Sequence, residues 1–351
     1  MTRKTTMIRY ILRRLLLAVL TLFVLSVVCY GLFYAIPTDP AAVSCSKQCT
    51  PQNLAGARHK LELDIPIQCQ YLRFVKGLVT ERHYANMTGP KDFIGCPSVG
   101  AATPESYNCA APCLGYSFAR DTGVNDLIGP KLPVTVSLTL YAAILWILMG
   151  VGAGIVSALK PRSLMDRVVM VLALAGVSLP TFFTGLTIQK FVVDQGYWPI
   201  RPDYFSPFSQ PWFFLQAMFL PAFVLAIANA AIYARLTRAN MLETLNEDYI
   251  RTARAKGLRE RRVVVKHALR AALTPLVTIA GLDIGALLGG AIITEKVFNI
   301  QGLGFLIVDA VNNLDFPVIT AVTLLAAAFI VFLNLIVDLL YGVIDPKVRL
   351  S

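Results

Sequence analysis

Charged side chains are scarce in this sequence: Asp, Glu, Lys and Arg make up 15% of 351 residues, against 56% hydrophobic. With a mean hydropathy of +0.62, the chain is too apolar for an ordinary water-soluble domain and falls among membrane proteins. Histidine occurs three times, and His267, in a basic loop, has no paired acid in a triad arrangement. The G-x-x-x-x-G-K-[ST] phosphate loop, the H-E-x-x-H metal helix and the G-x-S-x-G nucleophile turn are all missing. Hydrolysis of ATP in the P-loop manner is thereby excluded, and no nucleophile and base can be named for an enzyme. A formal charge of +11 would suit a nucleic-acid binder, but the excess sits beside apolar runs, where the positive-inside rule places it.

A membrane crossing needs roughly 20 mostly apolar residues. Six stretches qualify: Leu15–Ile36, Val134–Ala158, Val168–Val192, Trp212–Tyr233, Leu276–Thr294 and Val318–Tyr341. Arg3, Lys4, Arg9, Arg13 and Arg14 hold the N-terminus inside, and Lys160, Arg162 and Arg167 mark the next inner loop. The loop from Arg235 to Arg270 carries ten Lys or Arg against Glu243, Glu247, Asp248 and Glu260. An all-α polytopic protein with both termini in the cytoplasm follows. A secretory signal peptide is the rival reading of residues 1–36. The apolar run is longer than a usual signal core and no small-x-small site precedes Pro37, so it is read as a permanent first helix. The division is then 1–36, an outer segment 37–130, and a five-helix core 131–351 with an inner loop 235–272.

The outer segment is polar and holds six of the seven cysteines: Cys45, Cys49, Cys69, Cys96, Cys109 and Cys113. A segment this short buries little core, so three disulfides are expected, with 15 pairings possible. A metal or iron–sulfur site is the alternative, because Cys45/Cys49 and Cys109/Cys113 are both spaced C-x3-C; His59 and His83 have no ligand spacing to either pair. Cys29 lies in the first span as a packing residue. Asn86-Met87-Thr88 spells a glycosylation sequon by chance.

Within the spans, Gly150, Gly152 and Gly154 permit close helix contact, while Pro180 and Pro221 should kink the third and fourth helices. Gly281, Gly285 and Gly289 recur every four residues as a packing stripe. Asp283 lies roughly 200° around the helix from Gly281. It faces either a pore, water or a partner, or a helix–helix hydrogen bond, and a carboxylate at that depth costs at least ~2.5 kcal/mol on insertion scales.

The chain is organised around Asp248–Pro275, a basic stretch between apolar runs. Tyr249, Ile250, Ala253, Gly257 and Leu258 share one helical stripe, and Arg251, Arg254 and Arg259 lie largely opposite. Ala253 and Gly257, one turn apart, would let another protein approach the backbone. This stretch resembles the E-A-A-x-x-x-G loop of ABC-importer permeases: Ala253 and Gly257 match, and Arg251 and Thr252 replace the Glu and first Ala. Those departures look like the peptide-permease branch, whose wording Tyr-x-Arg-Thr-Ala-Arg-Ala-Lys-Gly runs from Tyr249 to Gly257 and is followed by His267-Ala-Leu-Arg270. Leu61–Pro66, Leu114–Ser117, the string Gly289, Gly290, Glu295, Phe298, Gly302, Leu303, Gly304, and the closing Asn334, Asp338, Tyr341, Asp345, Pro346 resemble the same branch. The stretch around Lys91–Cys113 reads as an insertion.

The resemblance implies a six-helix type I importer permease of the dipeptide/oligopeptide (and nickel) class, B-type subunit, with a cysteine-rich insertion between helices 1 and 2. It implies a second permease of similar fold, two cytoplasmic ATPases that bind ATP and Mg, an extracytoplasmic substrate-binding protein and a bacterial inner membrane; this chain holds no cofactor and no metal. It assigns ATPase coupling to Tyr249, Arg251, Thr252, Ala253, Arg254, Ala255, Lys256, Gly257 and Leu258, and makes Asp283, Gly281, Gly285, Gly289 and Glu295 pore or packing candidates. Peptides are the expected cargo, with nickel complexes, glutathione and haem as alternatives. The rivals from another class are a membrane enzyme and a receptor with a disulfide ectodomain.

Overall fold

The computed structural model describes residues 2–35, 50–51, 58, 66–84, 107–117, 119–199 and 204–344. Cys45, Cys49, Cys96, His59, the Asn86 sequon, Leu61–Ile65 and Asp345-Pro346 lie outside the described residues, as do the side chains of Asp338 and Tyr341.

Among the described residues, five helices are long and apolar enough to cross a membrane, and a bent pair makes a sixth. We number them as spans: 1, Ile11–Leu32; 2, Val124–Leu159; 3, Leu164–Ser178 with Thr181–Val193; 4, Pro211–Leu245; 5, Glu260–Leu288; 6, Phe316–Val337. Span 3 departs from the expected single kinked helix, because its halves meet at 99°. The cause is local: Pro180 forces Leu179 out of the helical region to φ −86°, ψ 122°, so one helix ends there and Pro180 caps the next. Pro221, by contrast, is accommodated inside the continuous helix of span 4. Span 5 also differs from expectation, beginning earlier and ending at Leu288. Gly290, at φ +125°, turns the chain into a separate short helix, Ile292–Val297.

The chain divides into two compact units, one of Met1–Ile11, Val134–Phe305 and Phe329–Ser351, the other of Leu12–Pro133 and Leu306–Ala328. Span 4 is the hub of the first unit, with 61% of its most apolar window buried. Its many alanines leave room on every side. A methyl added at Gly150 would lie 2.7 Å from the Ala230 carbonyl, and one at Gly154 would lie 2.5 Å from Thr237 Cβ, so span 2 rests its small-residue face directly on span 4. Gly176 of span 3 meets Ala231 in the same way. Span 5 turns Gly281 to Val337 and Gly285 to Ile330, which seats it against the last helix. Trp146, Tyr233, Leu138 and Phe298 fill the core between.

In the second unit, Tyr71 and Phe74 of the helix Ile67–Gly77 pack on Tyr30, and the Tyr71 and Ser26 hydroxyls are 2.8 Å apart. Arg82–Tyr84 pairs antiparallel with Tyr107–Cys109, and Tyr116–Ser117 with Thr122–Gly123. Ser117 donates to Asp315, and Arg120 pairs with Asp309. The strip Leu114–Ser117 thus becomes a small hairpin tied down by an acid nearly 200 residues away. Cys109 bonds to Cys113, Cys69 is also disulfide-bonded, and Cys29 is the free cysteine among the described residues.

Candidate functional site

The basic loop after span 4 folds as a two-turn helix, Asp248–Ala255, stopped by Gly257. Gly257 adopts φ +75°, where a side chain is strained, yet no atom lies within 4 Å of the position a Cβ would take. Its N–H bonds to the Arg254 carbonyl at 2.9 Å and the Leu258 N–H to the Ala253 carbonyl at 3.3 Å. These two bonds form a Schellman motif, with Leu258 folding back toward the apolar side. The motif's glycine is therefore a backbone requirement of the helix stop.

Ala253 lies on the apolar side of this helix. It is 8% exposed and Ile250 fully buried, packed with Ala158, Met241, Val263, Val264, Ala268 and Ala272. The reason is the amphipathic stripe itself, whose apolar side finds a partner in its own chain. What remains on the surface is Tyr249, Arg251, Thr252, Arg254, Ala255, Lys256 and Gly257, with Leu258 half-buried. Arg254 forks onto Glu260 at 2.7 and 3.1 Å across the turn, which raises its pKa; both are exposed enough for the pair to contribute only ~0–1 kcal/mol. Beneath the helix, Val263–Ala268 forms a π-helical turn that buries Val263, Val264 and Ala268 and half-buries His267.

One ionic cluster beside this site has no counterpart in the sequence reading. Asp166, at the start of span 3, is 4% exposed and accepts from Arg238 of span 4 at 2.7 and 2.9 Å, from Ser157 of span 2, and from the Arg162 N–H at 2.8 Å. The Ser163-x-x-Asp166 spacing, a helix-capping signal, was the available clue.

The second family string gathers into a knot around Glu295, which is fully buried. Thr135 donates to its Oε1 at 2.8 Å, the Phe305 N–H donates to Oε2 at 2.9 Å, and the Leu303 N–H donates to the Thr135 hydroxyl at 2.8 Å. A methyl at Gly302 would lie 2.4 Å from Glu295 Oε2, and one at Gly304 2.7 Å from Ile292 Cα. Gly290 approaches Gly304 in the same manner, at 2.8 Å. Burial pushes the Glu295 carboxyl pKa up, against the pull of the hydrogen bonds it accepts. Asp283 is half-buried and accepts a 2.8 Å hydrogen bond from the Tyr233 hydroxyl of span 4, on the side of span 5 away from Gly281. Among the described residues no catalytic constellation forms: the Asp248–Ala255 helix, the Glu295 knot and Asp283 are three separate places.

Residues 150–350 match the family described as binding-protein-dependent transport system inner membrane component, and residues 7–139 match its N-terminal companion. The chain belongs to this family. Among its relatives are the dipeptide transport system permease protein DppB of Alkalihalophilus pseudofirmus, 36% identical over 98% of this chain and 100% of its own. The glutathione transport system permease protein GsiC of Escherichia coli (strain K12) is also 36% identical, over 98% of this chain and 99% of its own. This binding-protein-dependent permease is accordingly a non-enzymatic, multi-pass subunit of an ABC importer of the dipeptide/oligopeptide type, in the inner membrane. Its family works with ATPases on separate subunits, where ATP and Mg act, and with a binding protein.

Proposed function

We propose that this permease carries short peptides from an extracytoplasmic binding protein into the cytoplasm, pairing with a second permease of similar fold and two ATPases that dock on the Asp248–Ala255 helix. The observation that carries the proposal is the way this helix is held. Its apolar side is anchored in its own chain, while Tyr249, Arg251, Thr252 and Lys256 stay exposed next to the Gly257 stop. A short rigid helix with a polar outer face and a buried inner face is suited to pass on a push. ATP-driven closure of the ATPases would then rock the spans and alternate access. In this arrangement both termini and the coupling helix are cytoplasmic, and the cysteine-bearing segment faces the binding protein.

Dipeptides and glutathione, the cargoes named by relatives of equal identity, are both short peptides with free terminal carboxylates, and that shared chemistry supports short peptides as the substrate class. Stimulation of ATP hydrolysis in the purified complex with its binding protein, tested with dipeptides, glutathione, nickel complexes and haem, decides among them. Stimulation by haem or nickel complexes alone, or purification of the chain with no ATPase, would overturn the proposal.

A further inference from the structure

We propose that Asp166 and Arg238 form a latch that makes the coupling helix and the adjoining ends of spans 2, 3 and 4 move as one body; the inference rests on the importer reading above. Three parts of the chain converge on one carboxylate through four hydrogen bonds. Ser157 of span 2 and the Arg238 Nε (2.7 Å) share Oδ1, and the Arg162 N–H (2.8 Å) and Arg238 Nη2 (2.9 Å) share Oδ2. A guanidinium fork on a carboxylate fixes orientation as well as distance, which a single apolar contact does not.

The latch adjoins the apolar bed of the coupling helix. Ala158 follows Ser157, and Met241 lies one turn beyond Arg238; both pack in the cluster that buries Ile250 and Ala253. Close contact between spans 2 and 4, where Gly154 meets the Thr237 side chain and the Ala234 carbonyl, closes the block from the other side. Buried ion pairs are weak evidence for stability, since apolar side chains of equal volume serve as well, and their best-attested use is to fix one register. A push on Ile250 and Ala253 therefore reaches three spans together, and Asp166 acts as a positioning residue for transport.

The test uses the whole complex, with the second permease, ATPases and binding protein in liposomes, and reads uptake of a labelled dipeptide mixture with glutathione against ATP consumed. In Asp166→Asn the complex should assemble and hydrolyse ATP while solute moved per ATP falls about tenfold, within the range of coupling between sites. Arg238→Lys keeps the charge without the fork and should show a smaller loss in the same direction. Spin labels at the exposed positions Glu247, which caps the coupling helix, and Val168 give a readout independent of solute. Their separation should stay constant between the nucleotide-free and ATP-trapped wild type and shift on trapping in Arg238→Lys. A wild-type separation that changes on trapping, or a wild-type transport ratio in both variants, overturns the latch. A wild-type complex that moves no solute with ATP overturns the importer reading and the latch with it, whereas coupled wild type with unaffected variants removes the latch alone.

Discussion

Thr135 and Glu295 share a 2.8 Å hydrogen bond across 160 residues of sequence, hydroxyl to carboxylate, in a site where the carboxylate is fully buried. The same hydroxyl accepts the Leu303 N–H, so one threonine of span 2 is joined to both ends of the loop after span 5. Gly302 and Gly304 are small because that loop wraps the carboxylate too closely for a side chain.

The burial of Glu295 predicts a pH dependence of defined sign. Its folded pKa is raised, so the ionised form carries a penalty at all pH values above it, relieved as pH falls through the folded pKa toward the ordinary glutamate value of about 4.3. The difference in melting temperature between Glu295→Gln and wild type should shrink as pH is lowered, with the variant at least as stable near neutrality. Parallel curves for the two proteins in detergent would show that this carboxylate does not titrate on unfolding.

Gly302→Ala should cost about 1–3 kcal/mol through forced overlap with Glu295 and Thr135. Gly152→Ala, at a helical position with nothing within 4 Å, should be neutral or stabilising by ~0.4–1 kcal/mol. Thermal unfolding of the two variants side by side checks the contrast; equal effects would contradict it.

Gly257→Asn should retain coupled uptake, because asparagine tolerates a positive φ, whereas Gly257→Ala should lose about 1–2 kcal/mol of local helix-stop stability. Gly257→Arg carries the same backbone strain as the alanine variant and adds a bulky charge in open space, so it should still insert into the membrane yet uncouple ATP hydrolysis from uptake more completely than Gly257→Ala. Normal uptake by the arginine variant would remove this loop from the coupling path.

Asp283→Asn should change solute-stimulated ATPase activity more than Tyr233→Phe does, if the carboxylate serves the transport path beyond its hydrogen bond to Tyr233. Tyr233→Phe removes the hydrogen bond, at a cost of roughly 0.5–1.5 kcal/mol, whereas Asp283→Asn keeps an amide oxygen able to accept it, so stability should fall less in the asparagine variant. Identical kinetics in both would assign Asp283 to helix packing alone.

Much of the architecture was legible because its signals are local. Apolar run length marked the crossings and helical periodicity marked the short basic helix, whereas Gly257, placed by that periodicity on the helix, is instead its stop. The 99° bend at Pro180 was legible only as a proline: a pre-proline residue is pushed from the helix, but the same residue type at Pro221 leaves its helix unbroken. Which outcome follows depends on packing around the site. The Cys109–Cys113 bridge likewise fixes one of many pairings that spacing left open.

By itself the sequence determined membrane class, the helix count, the family and the place of the short basic helix, since each rests on composition or on residues adjacent in the chain. The tertiary structure alone decided that Ala253 packs against its own chain, that Asp166 meets Arg238, and that Thr135 completes the site of Glu295. Those are contacts between residues far apart in sequence. Helical periodicity says which residues share a face, and only the neighbouring helices say what that face meets.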